Sequence, residues 1–452
     1  MKLFKITSII ILINLFIGCS NKELTVIKHS EYQNNNKKSS NIEKDKLLIR
    51  TPKIQIKSTL SPKENQFLEI LKVDKYASIC NSENKFQEIK STVEDSKKSL
   101  LLKELFYEYV NNLANSCIDR DSFRKELEKN KYKERKQFYE TYNKNINSEE
   151  IYRLYDSKDI SIESILDKYT PKHPDFFKFI KALDKNKLSK KEYKRLRLDI
   201  ERIKLLKDYQ DENFIQLNIP SYNFSLYEKG KNVKSFGTVV GSVDDQTPVL
   251  SSKLSYFIVN PTWNIPDSIA KKTIIPNALK DKKYLKKKNI VIRKNYKLDS
   301  QKIKFKDVKW KKYLKDDVSY IPYKFIQLPS NTNGMGRVKF MFKNDYAVYM
   351  HDTMGTWRFK IDKEKIRFVS HGCVRLEHPL SLMKHLSTHY TKKSYSSVRK
   401  IYDNNQTENI SLSKKLALHI TYITSYVKDG KVKFYNDVYE YDKIQKLNFT
   451  IN

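Results

Sequence analysis

Glycine is the feature that most constrains this chain. There are nine glycines in 452 residues, and eight of them (Gly230, Gly237, Gly241, Gly334, Gly336, Gly355, Gly372, Gly430) fall after residue 229, as do all three tryptophans. Tight turns and close backbone approaches need glycine, and helix interiors avoid it. The asymmetry predicts an α-helical segment over roughly 60–206 and a segment rich in strands and turns over roughly 212–445, an α+β chain. Local patterns agree. Leu102/Leu105/Phe106/Tyr109/Leu113 and Tyr193/Leu196/Ile200/Ile203 recur at helical spacing, and Pro171, Pro174 and Asp175 mark a helix start before Phe176, Phe179, Ile180 and Leu183.

Beyond residue 211 the runs Phe214–Ile219, Ser225–Tyr227, Thr238–Val240 and Tyr256–Val259 read as short strands. Ile420–Val427, Lys428-Asp429-Gly430 and Val432–Tyr435 read as a hairpin with a tight Asp-Gly turn. From Pro266 to about Pro322 the chain is dense in lysine (Lys280, Lys282, Lys283, Lys286, Lys287, Lys288) and lacks glycine, as expected of an inserted subdomain or of a solvated charged face.

The N-terminus sets the compartment. Residues 1–18 have a charged start, a short apolar core and a small residue before Cys19, the pattern of a secretory signal. The apolar run is shorter than the ~20 residues a comfortable membrane span needs. Leu15-Phe16-Ile17-Gly18-Cys19 resembles a bacterial lipobox, which implies lipidation of Cys19, and Ser20 after it favours the outer membrane. Residues 19–58 are polar and of low complexity, a disordered tether.

The net charge of +35, from 88 Lys and Arg against 53 Asp and Glu, suits work beside a polyanion, although Lys, Asn and Ile are abundant along the whole chain. For an exported chain, nucleic acid is not the expected partner; cell-wall polymer and anionic lipid are. Four cysteines cannot make a disulfide-rich scaffold, and their lack of C-x-x-C spacing argues against a cysteine-built zinc site. Export permits a Cys80–Cys117 disulfide, but Cys117 also continues the apolar face that ends at Leu113 and fits a core position equally well.

Chemistry concentrates in Ser370-His371-Gly372-Cys373-Val374-Arg375-Leu376, with His351-Asp352-Thr353 upstream, His351 lying 22 residues before Cys373. A cysteine beside histidine suits nucleophilic acyl transfer: the thiolate attacks, an imidazole takes the proton, and positive charge lowers the thiol pKa. Gly372 permits a sharp turn that aims backbone amides at an oxyanion, and Arg375 can fork onto a carboxylate. A strand through 371–373 is expected to turn His371 away from Cys373, which leaves His351 as the base. His378, His385 and His389 fall on an expected helix and read as structural.

These blocks resemble the L,D-transpeptidase (YkuD-type) catalytic domain, and within it the large YcbB-like branch of Gram-negative bacteria. The resemblance runs over about 212–445. It rests on Leu217-Asn218-Ile219-Pro220, Val239-Val240-Gly241, Val259–Pro266, Asn333–Phe340, Tyr349–Thr353, Ser370–Leu376 and the Tyr422–Tyr441 hairpin, in that order. It implies a mostly-β catalytic domain over 212–445 with a capping insertion at 266–322, preceded by an α-helical scaffold domain over 59–211. It also implies Cys373 as nucleophile, His351 as base, His371, Gly372 and Ser370 in support, substrate contacts from Arg375, Ser370 and Trp357, and no metal or organic cofactor. The loop from His351 to Ser370 is longer than the family's, and the three-helix peptidoglycan-binding module of many relatives is missing.

The implied reaction is 3→3 cross-linking of peptidoglycan stem peptides through a cysteine thioester, by a periplasmic lipoprotein inhibited by carbapenems. Two alternatives remain open at this point. Either water resolves the same thioester, giving an L,D-carboxypeptidase or cross-link hydrolase, or the chain is a wall-binding lipoprotein without activity.

Overall fold

The structure, a computed structural model, describes residues 60–129, 139–207, 211–360 and 367–451. The leader, the tether and Cys19 lie outside the described residues.

The glycine-free stretch is helical. Helix α1 (Pro62–Lys72) starts at a capping box in which the Glu64 N–H donates to Ser61 Oγ at 3.2 Å and the Ser61 N–H to the Glu64 carboxylate at 2.6 Å. It is followed by α2 (Glu83–Ser91), α3 (Asp95–Asn115), α4 (Arg120–Leu127), α5 (Ser148–Asp156), α6 (Ile162–Asp167), α7 (Phe176–Lys185) and α8 (Lys190–Lys204). The predicted stripe on α3 is the centre of this part: Leu102, Leu105, Phe106, Tyr109 and Leu113 are fully buried, and Phe106 meets Phe67 of α1 edge to face at 5.1 Å. Among the described residues no helix is long and apolar enough to cross a membrane.

Cys80 and Cys117 are bridged, with Cα atoms 6.1 Å apart, and both are buried. The disulfide and the core reading of Cys117 therefore hold together. Helix α8 departs from its amphipathic pattern, since every residue from Leu196 to Lys204 is buried, charged ones included. Arg202 bridges Asp199 and Asp442, each at 2.7 Å, and Asp199 accepts the N–H groups of Thr424 and Ser425. This paired cluster fastens the helices to the end of the β region, because a buried charge persists only with partners.

Nine strands form one sheet: β1 (Phe214–Asn218), β2 (Asn223–Glu228), β3 (Lys231–Gly241), β4 (Leu250–Val259), β8 (Val338–Phe342), β9 (Met350–His351), β10 (Phe368–Ser370), β11 (Val374–Leu376) and β12 (Glu408–Thr421). Their order is β10-β3-β11-β9-β8-β4-β12-β1-β2, and β2 also pairs with β3, so the row of strands closes on itself. Helices α11 (Pro379–His389) and α12 (Tyr395–Asp403) pack on its core through Leu382, Met383, Leu386 and Val398.

The lysine-dense insertion has its own three-stranded sheet, β5 (Trp263–Ile265), β7 (Lys324–Gln327) and β6 (Ile290–Arg293), with α9 (Ile275–Lys280) and α10 (Tyr284–Lys287) and a separate core around Trp310 and Phe325. The C-terminal hairpin is shorter than predicted. Ile420 belongs to β12, and β13 (Ser425–Lys428) pairs with β14 (Lys431–Phe434) across Asp429-Gly430, both at positive φ. Residues 422–424 leave the strand where Thr424 turns its N–H and Oγ1 onto Asp199.

Candidate active site

Period-two alternation divides β8, β9 and β11 between two faces. Phe340, Met350 and Val374 enter the hydrophobic core. Their neighbours Lys339, His351 and Arg375 then share the opposite face, and the pairings Lys339 with His351 and His351 with Arg375 set them in one row across three strands. Cys373 lies just before β11, level with Tyr349, whose carbonyl accepts the Val374 N–H at 3.0 Å.

The turn that delivers Cys373 is fastened at several points. Gly372 has φ +97°, a conformation side chains rarely adopt, and a Cβ added there would come within 3.4 Å of the Gln246 carbonyl. Thr247 Oγ1 donates to the Gly372 carbonyl at 2.8 Å, and Ser370 Oγ to the Cys373 carbonyl at 2.6 Å. Residues 371–373 are thus a turn between β10 and β11, which corrects the strand expectation. On a continuous strand, residues two apart would share a face; the break at Gly372 instead leaves His371 exposed while Cys373 is half-buried.

Cys373 is the only described cysteine outside the disulfide. Burial pushes its thiol pKa up, opposed by the Tyr349 N–H and hydroxyl and by the charges of Lys339 and Arg375, while Sγ itself faces the Ala347 carbonyl at 4.0 Å. Tyr349 in turn lies under Lys339, whose Nζ is 3.5 Å from the ring centroid, and meets the His351 ring at 6.1 Å.

His351 is buried, and its Nδ1 is 2.5 Å from the Asp352 carbonyl. A carbonyl only accepts, so Nδ1 carries the proton and Nε2 the lone pair. Burial first, then Arg375 and Lys339, lower its pKa to about 3. The cations that disfavour an imidazolium here are the same ones that favour a thiolate at Cys373.

Arg375 is half-buried; burial and the nearby Arg358 lower its pKa. Arg358 stacks on exposed Trp357 at 4.4 Å, in the short turn Thr356–Phe359 that packs against β3. The structure therefore gathers Cys373, His351, Gly372, Ser370 and Arg375, approaches Arg375 with the turn carrying Trp357, and leaves His371 at the surface. His385 is bound to Glu228 at 2.7 Å, and His378 lies against Phe236. Tyr349 and Lys339 escaped the sequence reading, although the alternation in Tyr349-Met350-His351 and Val338-Lys339-Phe340 carried the signal.

Residues 212–397 match the family model described as the L,D-transpeptidase catalytic domain. A putative L,D-transpeptidase of Haemophilus influenzae is 26% identical over 253 residues, 55% of this chain and 48% of that protein, so the chain spans about half the length of this curated relative. Solved structures that align include an L,D-transpeptidase from Mycobacterium smegmatis (12% identity, 46% of this chain and 58% of that one, TM-score 0.20). Another is an L,D-transpeptidase from Stackebrandtia nassauensis (12% identity, 59% and 82%, TM-score 0.19). The helical region is thus followed by a mostly-β domain whose residues 212–397 match the L,D-transpeptidase catalytic-domain model.

Proposed function

We propose that the chain is a peptidoglycan L,D-transpeptidase of the YcbB-like branch, making 3→3 cross-links through a thioester on Cys373. The observation that carries this reading is the one unbridged cysteine among the described residues, set by a glycine turn beside Tyr349, two cations and a buried histidine. The Cys373 thiolate attacks the carbonyl of the third stem residue, diaminopimelate in a Gram-negative wall, forming the S–C bond. The oxyanion is met by the N–H groups of Gly372 and Cys373, which have no hydrogen-bond partner among the described residues. His351 Nε2 takes the thiol proton and returns it to the departing D-alanine amine as the C–N bond breaks. The side-chain amine of a second diaminopimelate then attacks the thioester and frees the thiol. Arg375, Ser370 and Trp357 contact the donor peptide, and no metal or organic cofactor enters.

In this reading residues 59–211 are a scaffold, 212–445 the catalytic domain and 266–322 its cap. The lipobox-like sequence before Cys19 supports a lipid anchor, holding the enzyme at the periplasmic face of a membrane, the outer one favoured by Ser20. Incubation with disaccharide-tetrapeptide followed by mass spectrometry of the products is the test. Cross-linked dimers support transpeptidation, free tripeptide alone makes the enzyme a carboxypeptidase, and unchanged substrate refutes both.

A further inference from the structure

The subsidiary domain built on β5, β6 and β7 carries a charge excess that its fold does not need. Residues 266–322 hold 18 Lys and Arg against 6 Asp, a net +12 over 57 residues, whereas the other 395 residues together carry +23. Lysine is abundant everywhere in the chain, but elsewhere acids accompany it. The excess peaks at the corner between α9 and β6. There Lys280, Lys282, Lys283, Lys286, Lys287 and Lys288 fill six of nine positions, and all six are exposed. Among the described residues only Lys287 of the six has a carboxylate partner, Asp281 at 2.8 Å. Like charges so close repel one another and cost stability, which the structure does not recover by pairing them.

The corner is tied to the catalytic strand through a short path. Gln327 Nε2 donates to the Lys288 carbonyl at 2.8 Å, and the Gly334 N–H donates to Gln327 Oε1 at 2.9 Å. The next residue, Met335, is buried. Gly336 then lies directly against Asp352, whose carboxylate accepts the Arg337 N–H at 2.8 Å. A polymer held at the lysine corner is therefore held beside the strand that carries His351.

We infer that this lysine corner is a docking surface for a polyanion, and that the polyanion is the peptidoglycan polymer, whose stem peptides present free carboxylates at regular intervals. The inference rests on the substrate class proposed above. One stem enters the site while its neighbours are held by the corner; a lipid surface at the same place would compete with the polymer for the approach to His351 and Cys373. Attraction of this kind acts on a long chain of charges and little on a single short peptide.

The test uses the full chain and a variant with Lys280, Lys282, Lys283, Lys286 and Lys288 replaced by Gln, all exposed and without carboxylate partners among the described residues. Retention on purified sacculi should fall about tenfold in the variant at low salt. Wild-type retention should fall comparably in 1 M salt, where charges are screened beyond about 3 Å. Turnover of soluble disaccharide-tetrapeptide should stay within about twofold of wild type, because the replaced side chains lie outside the reacting group. Equal retention of the two proteins, or wild-type retention indifferent to salt, overturns the inference. So does lysine-dependent capture by vesicles of anionic phospholipid without capture by sacculi, which would make the corner a membrane contact. Failure of the wild type to turn over the tetrapeptide sinks the proposed reaction instead, and sacculus retention still decides the docking surface.

Discussion

Tyr349→Phe removes one hydroxyl and leaves the ring that packs against His351 and Lys339. That hydroxyl favours the Cys373 thiolate, as expected of a donor to the sulfur. A hydrogen bond to a charged group contributes about 1.5–3 kcal/mol, and a pKa unit corresponds to about 1.4 kcal/mol, so the thiol pKa should rise by about one to two units. Near neutral pH, where the thiol form dominates, the thiolate fraction then drops about 10- to 100-fold. A more basic thiolate is also more nucleophilic, with a Brønsted coefficient of about 0.4–0.5, which returns part of the loss. The net expectation is acylation about 3- to 10-fold slower at neutral pH, with the deficit vanishing and then reversing once both thiols are ionised. The assay is the second-order rate of carbapenem acylation, followed by intact mass from pH 6 to 11. Rates identical to wild type at every pH would show that the hydroxyl does not touch the sulfur in solution. A deficit that persists unchanged at high pH would show that Tyr349 positions the cysteine and does not tune its charge.

His351→Ala should slow acylation about 10²- to 10⁴-fold, the usual worth of general-base assistance, and His371→Ala should cost far less because its ring is exposed; the reverse order in the same mass assay would exchange their roles. The wild-type profile should rise toward alkaline pH with no inflection between pH 5 and 7.5. The His351 imidazole is already neutral above about 3, and the thiol pKa is raised, so only the thiol titrates in that profile. A second inflection near pH 6.5 would contradict that electrostatic picture. Replacing Cys80 and Cys117 by Ser opens a loop spanning 37 residues and should lower stability by about 4 kcal/mol, read from urea unfolding, while carbapenem acylation of the folded protein is retained.

What the sequence made legible was local. The α3 stripe, the helix start at Phe176, the Asp-Gly turn and the cysteine constellation each depend on residues a few positions apart. What it concealed depends on pairing across long separations. Leu196, Ile200 and Ile203 imply a helix with one buried face, yet α8 is buried all round from Leu196 to Lys204, Asp199 and Arg202 being covered by the turn after β12 and the segment around Asp442. Tyr349 meets Cys373 only because β9 and β11 run parallel in that register, which no stretch of sequence reveals. His371 was set aside for a reason that does not hold on a strand, and the turn at Gly372 is what separates it from the sulfur.

The central claim is that acyl transfer passes through Cys373. Carbapenem-treated full-length protein, digested and mapped by mass spectrometry, tests it most directly. The acyl mass should appear on the peptide containing Cys373, at one equivalent per chain, and disappear in Cys373→Ala. An adduct on another residue, or one that survives in the Cys373→Ala protein, would contradict the account.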